Sequence, residues 1–279
     1  MKIWKTFLGF LVLVTTAIWL ATLTFPDKNL HLIACNVGQG DAILITQGSN
    51  QVLIDGGPDK KVLDCLGKYL PFWDREIELV VLSHPHEDHY RGLVDVIKKY
   101  NVDTWLEGGV SSSSQEYQVL EDLVGGGKTR VLERTETTNL RVGLIYLDIL
   151  NQVEDDKLNK KEEKGNEESL VLSLRSQNFE AILTGDAPKE ELLDLIEKNQ
   201  IKTVNYIKIS HHGSKSGTSK EVLGLLEPKI AVISVGKNFY GHPNQEVLEL
   251  LKERKIKVLR TDEEGDIQII SDGEKVWEQ

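Results

Sequence analysis

The sequence predicts an α+β fold, in which two β-sheets are covered by helices and a single N-terminal transmembrane helix precedes them. Short β-branched runs alternate with amphipathic segments from residue 30 to residue 271, and the strands fall into two sets with helices between them. No charged residue lies between Lys5 and Asp27. We therefore expect a membrane segment at 1–26 and one large domain at 27–279, which is long enough to bury a full core.

The uncharged N-terminal segment is long enough to cross a bilayer as a helix of about 20 residues. Lys2 and Lys5 precede or begin this segment, so the positive-inside bias predicts a single-pass protein of the cell membrane with an extracytoplasmic C-terminal domain. A cleaved signal peptide is the alternative, but "LATLTFP" contains no A-x-A-like cleavage site.

The elements of the domain follow from apolar alternation and its interruptions. β-Branched runs predict strands, and apolar residues at helical spacing predict helices. The segment "VSSSSQEY" leads into a predicted helix that ends at glycines 125–127. The charged stretch 154–168 predicts a solvated loop. Strands are predicted at 30–36, 41–46, 51–55, 78–83, 102–106, 129–132, 141–149, 169–175, 180–184, 203–210, 229–235, 257–260 and 266–271. Helices are predicted at 60–70, 91–100, 188–198 and 244–253.

Charge and cysteine content restrict the environment and the partners. The net charge of −11 repels a polyanion at long range, which argues against a DNA-coating protein. Contact with nucleic acid then depends on a local basic patch or on bound cations. Cys35 and Cys65 are the only cysteines. An exported domain can pair them, but two buried free thiols are the expected state.

The densest group of metal-ligand residues is "HPHEDH" at 84–89, directly after the apolar run "ELVVLS". A loop that leaves a strand directs alternate side chains to one point, so His84 and His86 are expected at one metal, with Asp88 and His89 directed to a neighbouring one. Such ligands suit Zn²⁺, and also Mn²⁺ where oxygen donors predominate. Asp88 as a helix cap is the alternative, but three histidines at this density favour a metal site.

Further segments accompany this motif in a fixed order. They are "NVGQGDAILI" at 36–45, "VLIDGG" at 52–57, "SLVLSL" at 169–174, "ILTGDAPKEEL" at 182–192, "IKISHHGSKSGTS" at 207–219 and "ISVGKNFYGHP" at 233–243. Together they resemble the hydrolase-like domain at the C-terminal end of the ComEC family of DNA-uptake channel proteins, within the metallo-β-lactamase superfamily. The resemblance implies an αββα sandwich with two divalent metal ions, Zn²⁺ or Mn²⁺, at one edge of the sheets.

Other candidate residues combine their own chemistry with this resemblance. Asp186, at the end of "EAILTGD", is implied to bridge two cations, with helix capping as the alternative. Asp55 matches the superfamily's first acidic motif, which implies a residue that orients ligands, although "DGG" also suits a turn. His211 and His212 follow a predicted strand, where adjacent residues point to opposite faces, so one of them is expected to bind metal. The resemblance favours His212 and leaves His211 for substrate or proton transfer.

The remaining candidates concern the substrate and an incomplete ligand set. Ser214, Lys215 and His242 are expected to contact an anionic substrate, with ordinary loop positions as the alternative. Many superfamily hydrolases supply another histidine before the bridging aspartate, but no histidine lies between residues 90 and 210. Asn166 and Ser169 stand in that region, so we expect the first metal to be weakly held or completed by water.

The leading interpretation is an exported, membrane-anchored, metal-dependent hydrolase. A cation lowers the pKa of its bound water, and the hydroxide would attack an ester centre, with Asp88 and His211 as catalytic residues. The resemblance favours a phosphodiester substrate such as a nucleic-acid strand. The alternatives are a catalytically silent accessory module for DNA uptake and an esterase acting on cell-surface phosphate esters. A role in DNA uptake implies a channel partner, since the sequence predicts one transmembrane segment.

Overall fold

The computed structural model describes residues 2–23, 25–108, 112–132, 139–151, 166, 169–198 and 200–279. Within them, helices and strands alternate from residue 30 onward, as predicted. The helices are α1 (Lys2–Leu23), α2 (Val62–Tyr69), α3 (Glu87–Lys99), α4 (Gln115–Gly126), α5 (Lys189–Glu197), α6 (Lys220–Leu226), α7 (Gln245–Glu253) and α8 (Thr261–Glu264). The charged stretch at 154–168 lies outside the described residues except for Asn166.

Most strands match the predicted runs, but the strand at Val276–Glu278 was not predicted and one predicted run is divided. The single strand expected at 141–149 is a hairpin of two strands, because Gly143 adopts a positive φ of 60° and turns the chain. The strands are β1 (Leu30–Ala34), β2 (Ile43–Gln47), β3 (Asn50–Ile54), β4 (Glu76–Leu82), β5 (Asn101–Glu107), β6 (Arg130–Leu132), β7 (Asn139–Val142), β8 (Ile145–Ile149), β9 (Leu172–Ser176), β10 (Phe179–Leu183), β11 (Tyr206–Lys208), β12 (Ile230–Ile233), β13 (Lys257–Arg260), β14 (Ile267–Ser271) and β15 (Val276–Glu278).

Side-chain caps fix where several helices begin. The hydroxyl of Ser114 accepts a hydrogen bond from the Tyr117 amide at the start of α4, and Ser219 and Asn244 cap α6 and α7 in the same way. Helix α4 ends at the glycines, as the sequence predicts. Helix α3 begins within the "HPHEDH" motif, several residues before the predicted start. This early start places the second half of the motif on the first turn of a helix.

The described strands form two mixed sheets. The first has the order β15-β14-β1-β2-β3-β4-β5-β6 and the second has the order β13-β12-β11-β10-β9-β8-β7. Strands β3 to β6 are parallel to one another, and so are β10 to β13. The loops that follow parallel strands leave a sheet at one edge, and this is where the polar motifs are found.

Apolar residues of both sheets pack face to face, and each outer face is covered by helices. Leu32 and Val81 of the first sheet share one core with Leu174 and Ala181 of the second. A second core lies under α2, α3 and α4, and a third lies under α5, α6 and α7. The fold is therefore an αββα sandwich, which confirms the predicted α+β class.

The N-terminal segment is helical, but its predicted role is not supported. Side chains of α1 such as Ile3, Phe7 and Leu13 are exposed. In the part of the chain that the structure describes, we find no helix with both the length and the apolar character needed to span a bilayer.

The structure corrects the expectation of two free thiols. Cys35, just after β1, and Cys65, on α2, form a disulfide with their Cα atoms 5.8 Å apart. Both are buried in the core under α2, α3 and α4. The sequence separation of 30 gave no indication of this contact, which depends on how α2 packs on the first sheet.

Removal of this disulfide is expected to lower the free energy of unfolding by about 3–4 kcal/mol, because the cross-link closes a loop of about 30 residues in the unfolded chain. Urea unfolding of the Cys35→Ala, Cys65→Ala double variant measures this effect. Wild-type protein unfolded with a reductant is the control and should lose the same amount. An unchanged midpoint in both would contradict the prediction.

Candidate metal centre

Loops from both sheets meet at one edge and bring together a buried polar cluster. The first sheet contributes the segment between β1 and β2, the end of β3 and the loop after β4. The second contributes the loop after β10, the end of β11 and a short 3-10 helix at Ser210–Gly213. The fully or almost fully buried members are Asp41, Asp55, His84, His89, Asp186, Lys208 and His212.

Three buried imidazoles surround the carboxylate of Asp186. Their Nε2 atoms lie 3.9 Å (His84), 3.5 Å (His89) and 3.7 Å (His212) from its oxygens. Nε2 of His84, Nε2 of His89 and Oδ1 of Asp186 have no hydrogen-bond partner among the described residues. Buried polar atoms rarely lack a hydrogen-bond partner, and converging imidazole and carboxylate groups are typical ligands of a divalent cation.

The opposite nitrogen of each ring is held by the protein, which leaves Nε2 directed into the cluster. Such contacts orient the imidazoles of metal sites. The partners of Nδ1 are Ser83 Oγ for His84 (3.0 Å), Asp55 Oδ2 for His89 (2.8 Å) and the Ser234 carbonyl for His212 (2.9 Å).

Asp55 connects two of these contacts. Its carboxylate accepts hydrogen bonds of 2.7 Å from both the backbone N–H and the hydroxyl of Ser83, and its Oδ2 lies against His89. Asp55 follows β3 with a φ of 60°, which is uncommon for a residue other than glycine. The structure therefore places Asp55 behind the histidines, where it orients His89.

His211 and His212 lie in a left-handed turn that directs their side chains differently. Both have positive φ, 51° and 53°, a strained conformation that recurs at functional sites. His212 is buried, with Nε2 3.2 Å from Asp88 Oδ2. His211 is part-exposed, with Nε2 3.9 Å from Asp186 and Nδ1 3.1 Å from Asn166. Strand β11 ends at Lys208, so the alternation of a strand is not what divides the two histidines.

Two members of the cluster were missed at the level of sequence. Lys208 is fully buried, pairs with Asp41, donates a hydrogen bond of 2.7 Å to the Gly185 carbonyl and lies 3.6 Å from Asp186. Asp41 lies within the motif "GQGDA", and Lys208 interrupts the apolar run "YIKIS". A lysine inside a buried strand needs an oppositely charged partner, so its position in the sequence already indicated a buried ion pair.

Carboxylates outnumber lysine ammonium groups in the cluster. Among the described residues, four carboxylates stand beside one ammonium group. Burial opposes the charge on His212, but Asp186 and Asp41 raise its pKa to about 9. Burial likewise opposes the charge on Asp41, but Lys208 and His212 lower its pKa to about 2. A site that stabilises protonated imidazole also suits a metal cation, so the residues present fit divalent metal.

Four sets of three side chains each bring one ligand atom per residue within 4.8 Å of the others. Within the described residues the sets are His84, His89 and Asp186; Asp88, His89 and His212; Asp41, Asp186 and His212; and Asp41, Asp55 and His89.

Comparison with known proteins agrees with this geometry. Residues 35–237 match the family model of the metallo-β-lactamase superfamily. The chain belongs to this superfamily. The crystal structure of the metallo-β-lactamase fold protein YhfI from Bacillus subtilis has a TM-score of 0.56 and 11% identity, with 90% of this chain and 100% of that chain covered.

Three curated relatives of this metallo-β-lactamase superfamily member are ComEC-family competence proteins, which confirms the resemblance to that family. ComE operon protein 3 of Bacillus subtilis (strain 168) is 30% identical over 254 residues, which are 84% of this chain and 32% of that protein. Recombination protein 2 of Haemophilus influenzae is 26% identical over 267 residues, 94% of this chain and 31% of that protein. The chain thus spans about a third of the length of these relatives.

His86 differs from the other motif histidines of this metallo-β-lactamase superfamily member. It precedes the first turn of α3 and is half-buried, and its ring centroid lies 4.4 Å from that of His84. It belongs to none of the ligand sets that the described residues form.

The expected substrate contacts lie around the cluster. The hydroxyl of Ser214 is 2.9 Å from that of Ser216. Lys215 is exposed and forms an ion pair of 2.8 Å with Glu246, which neutralises part of its charge. The His242 ring lies 5.4 Å from that of His211, between the cluster and solvent. His242 therefore borders His211 on the exposed side of this superfamily member's site.

Proposed function

We propose that the chain is a metal-dependent hydrolase that cleaves phosphodiester bonds in a nucleic-acid strand such as DNA. The observation that carries this proposal is the convergence of the unpartnered Nε2 atoms of His84 and His89 on Asp186. The relatives support a nucleic-acid substrate, since the name Recombination protein 2 refers to a process that acts on DNA.

The proposed ligands surround Asp186. His84 and His89 form one ligand set with it, Asp88, His89 and His212 form a neighbouring set, and His86 stands beside His84. We assign two divalent cations, Zn²⁺ or Mn²⁺, to this set. When bound, they supply an activated water and neutralise negative charge on the phosphoryl oxygens.

The residues of the chain orient the substrate and move the proton. His211 faces the cluster from its exposed side, so its Nε2 can pass a proton to the leaving oxygen. Ser214 and His242 border the same side and provide polar contacts for the phosphate. Lys215 contributes through its exposed ammonium group, shared with Glu246. Attachment to the membrane and a channel partner for DNA uptake stay predictions.

One observation favours a second candidate, a catalytically silent accessory module for DNA uptake. Lys208 already places a positive charge beside Asp186 and Asp41, in a chain without the additional histidine of many superfamily hydrolases. If this ammonium replaces a cation, the site binds substrate or a partner without turnover. A comparison of nucleic acid with small phosphate diesters as substrates would distinguish an esterase for cell-surface phosphate esters from a nuclease.

Removal of metal is expected to stop hydrolysis of bis-p-nitrophenyl phosphate by the full chain. Turnover should return with Zn²⁺ or Mn²⁺, and Asp88→Asn should lower it by roughly 10²–10³-fold, since it removes a charge that faces His212 at the centre. Absorbance of p-nitrophenolate measures the rate, and equilibrium dialysis measures bound metal. Turnover that persists in chelator would contradict the mechanism, whereas bound metal without turnover would favour the silent module.

A further inference from the structure

Two exposed aromatic side chains lie on the loop that leads to His242, beside the metal centre. Phe239 is fully exposed, and Tyr240 is 76% exposed. The Tyr240 ring lies 5.9 Å from that of His242 with an interplanar angle of 32°, and His242 in turn lies against His211. Since His211 lies 3.9 Å from Asp186, two ring contacts connect Tyr240 with the proposed site of cleavage, and Phe239 is its neighbour in the chain.

The loop that carries this pair is held in place by one side chain. The amide nitrogen of Asn238 donates hydrogen bonds to the carbonyls of Gly236 (2.8 Å) and His242 (2.7 Å), and its oxygen accepts from the amides of Tyr240 (3.0 Å) and His242 (3.1 Å). Gly236 packs so closely that a Cβ there would meet the Gly38 backbone at 2.4 Å. The two rings are thus presented on a pre-organised loop, which limits the entropy lost when a ligand binds.

The position and the charge of the protein indicate what the rings bind. A net charge of −11 provides no long-range attraction for a polyanion, so a nucleic-acid strand needs other contacts. Stacking on aromatic side chains provides them, since every base has a flat π-face. Bases within a duplex are already stacked on one another, and an unpaired base is free to stack on a side chain.

We propose that Phe239 and Tyr240 form a stacking platform for an unpaired nucleobase, so that the substrate class is single-stranded nucleic acid. This inference rests on the proposed phosphodiester hydrolysis. The platform binds a base while the adjacent phosphodiester lies between His242 and the metal ligands. Because stacking does not read base edges, the platform accepts different bases.

The test compares two labelled oligomers of equal length and charge, an oligo(dT) and its fully abasic counterpart. Stopped-flow fluorescence anisotropy with the Mn²⁺-loaded full chain measures both dissociation constants before cleavage. We expect oligo(dT) to bind roughly tenfold more tightly. Phe239→Ala should reduce this ratio to threefold or less, because it removes one stacking contact. Phe239→Trp should retain the ratio, because it keeps an aromatic ring at that position.

Phe72→Ala is the matched control. Phe72 is also an exposed phenylalanine, at 78%, but it precedes β4 and so lies at the edge opposite the metal centre. Its removal should leave the ratio unchanged. Equal binding of the two oligomers by the wild type, or a tenfold ratio that survives Phe239→Ala, would overturn the platform.

The same preparations separate this inference from the proposed function. Base preference without metal-dependent cleavage would overturn the hydrolase and support the platform. Metal-dependent cleavage of bis-p-nitrophenyl phosphate without base preference would overturn the platform alone. Cleavage of glycerophosphocholine in preference to the oligomer would likewise overturn the platform, since that diester has no base to stack.

Discussion

Replacement of Asp186 by asparagine is expected to lower metal-dependent hydrolysis by roughly 10²–10³-fold or more and to weaken metal binding. Asp186 is the carboxylate on which the Nε2 atoms of three buried histidines converge, and asparagine keeps its shape while it removes the charge. The measurements are the rate of p-nitrophenolate release and the affinity for Zn²⁺ by calorimetry.

Asp194→Asn is the matched control for this variant. Asp194 lies on α5, the helix that follows Asp186, and forms an exposed ion pair with Lys198. The control should retain both turnover and metal affinity, because an exposed pair contributes little. Asp186→Asn with unchanged Zn²⁺ affinity would show that the metal, if it binds, binds elsewhere.

Replacement of Lys208 by methionine is expected to lower the free energy of unfolding by about 3–5 kcal/mol, because it leaves Asp41 buried without its cation. Addition of Asp41→Asn should recover most of the loss, since the buried charge is then removed as well. Urea unfolding in chelator measures the single and double variants without any contribution from metal.

An exposed ion pair provides the control for Lys208. Lys257 pairs with Glu278 at the surface, and Lys257→Met should cost no more than about 1 kcal/mol. If Lys208→Met is as mild as Lys257→Met, or if Asp41→Asn gives no recovery, the buried pair does not stabilise the centre in the way the geometry indicates.

Local patterns were sufficient to predict most elements and several members of the cluster. The "HPHEDH" motif indicated His84 and His89 because metal-ligand residues seldom occur at such density, and the family resemblance implied Asp186 at the end of the apolar strand in "ILTGD". The alternation also suggested two sheets covered by helices, and the resemblance to the superfamily implied their αββα arrangement. The inferences from motif density and alternation use neighbours in sequence, which is the range over which periodicity is informative.

The parts that escaped prediction depend on contacts between distant residues. Lys208 and Asp41 come from different sheets, so neither shows its partner in sequence. Cys35 and Cys65 meet only because α2 packs on the first sheet. His211 and His212 occupy a left-handed turn, and strand alternation says nothing about where such a turn directs its side chains. In each case tertiary packing decided the outcome.

The two sheets each supply part of the ligand cluster, with Asp88 and His89 from one and Asp186 and His212 from the other. A cation bound among them would join the two halves of the sandwich at their open edge. Folding and metal supply are then thermodynamically linked: at a free metal concentration a hundredfold above Kd, the native state gains about 2.7 kcal/mol. The abundance of the folded protein in a cell would therefore depend on the metal content of its surroundings, quite apart from any effect on turnover.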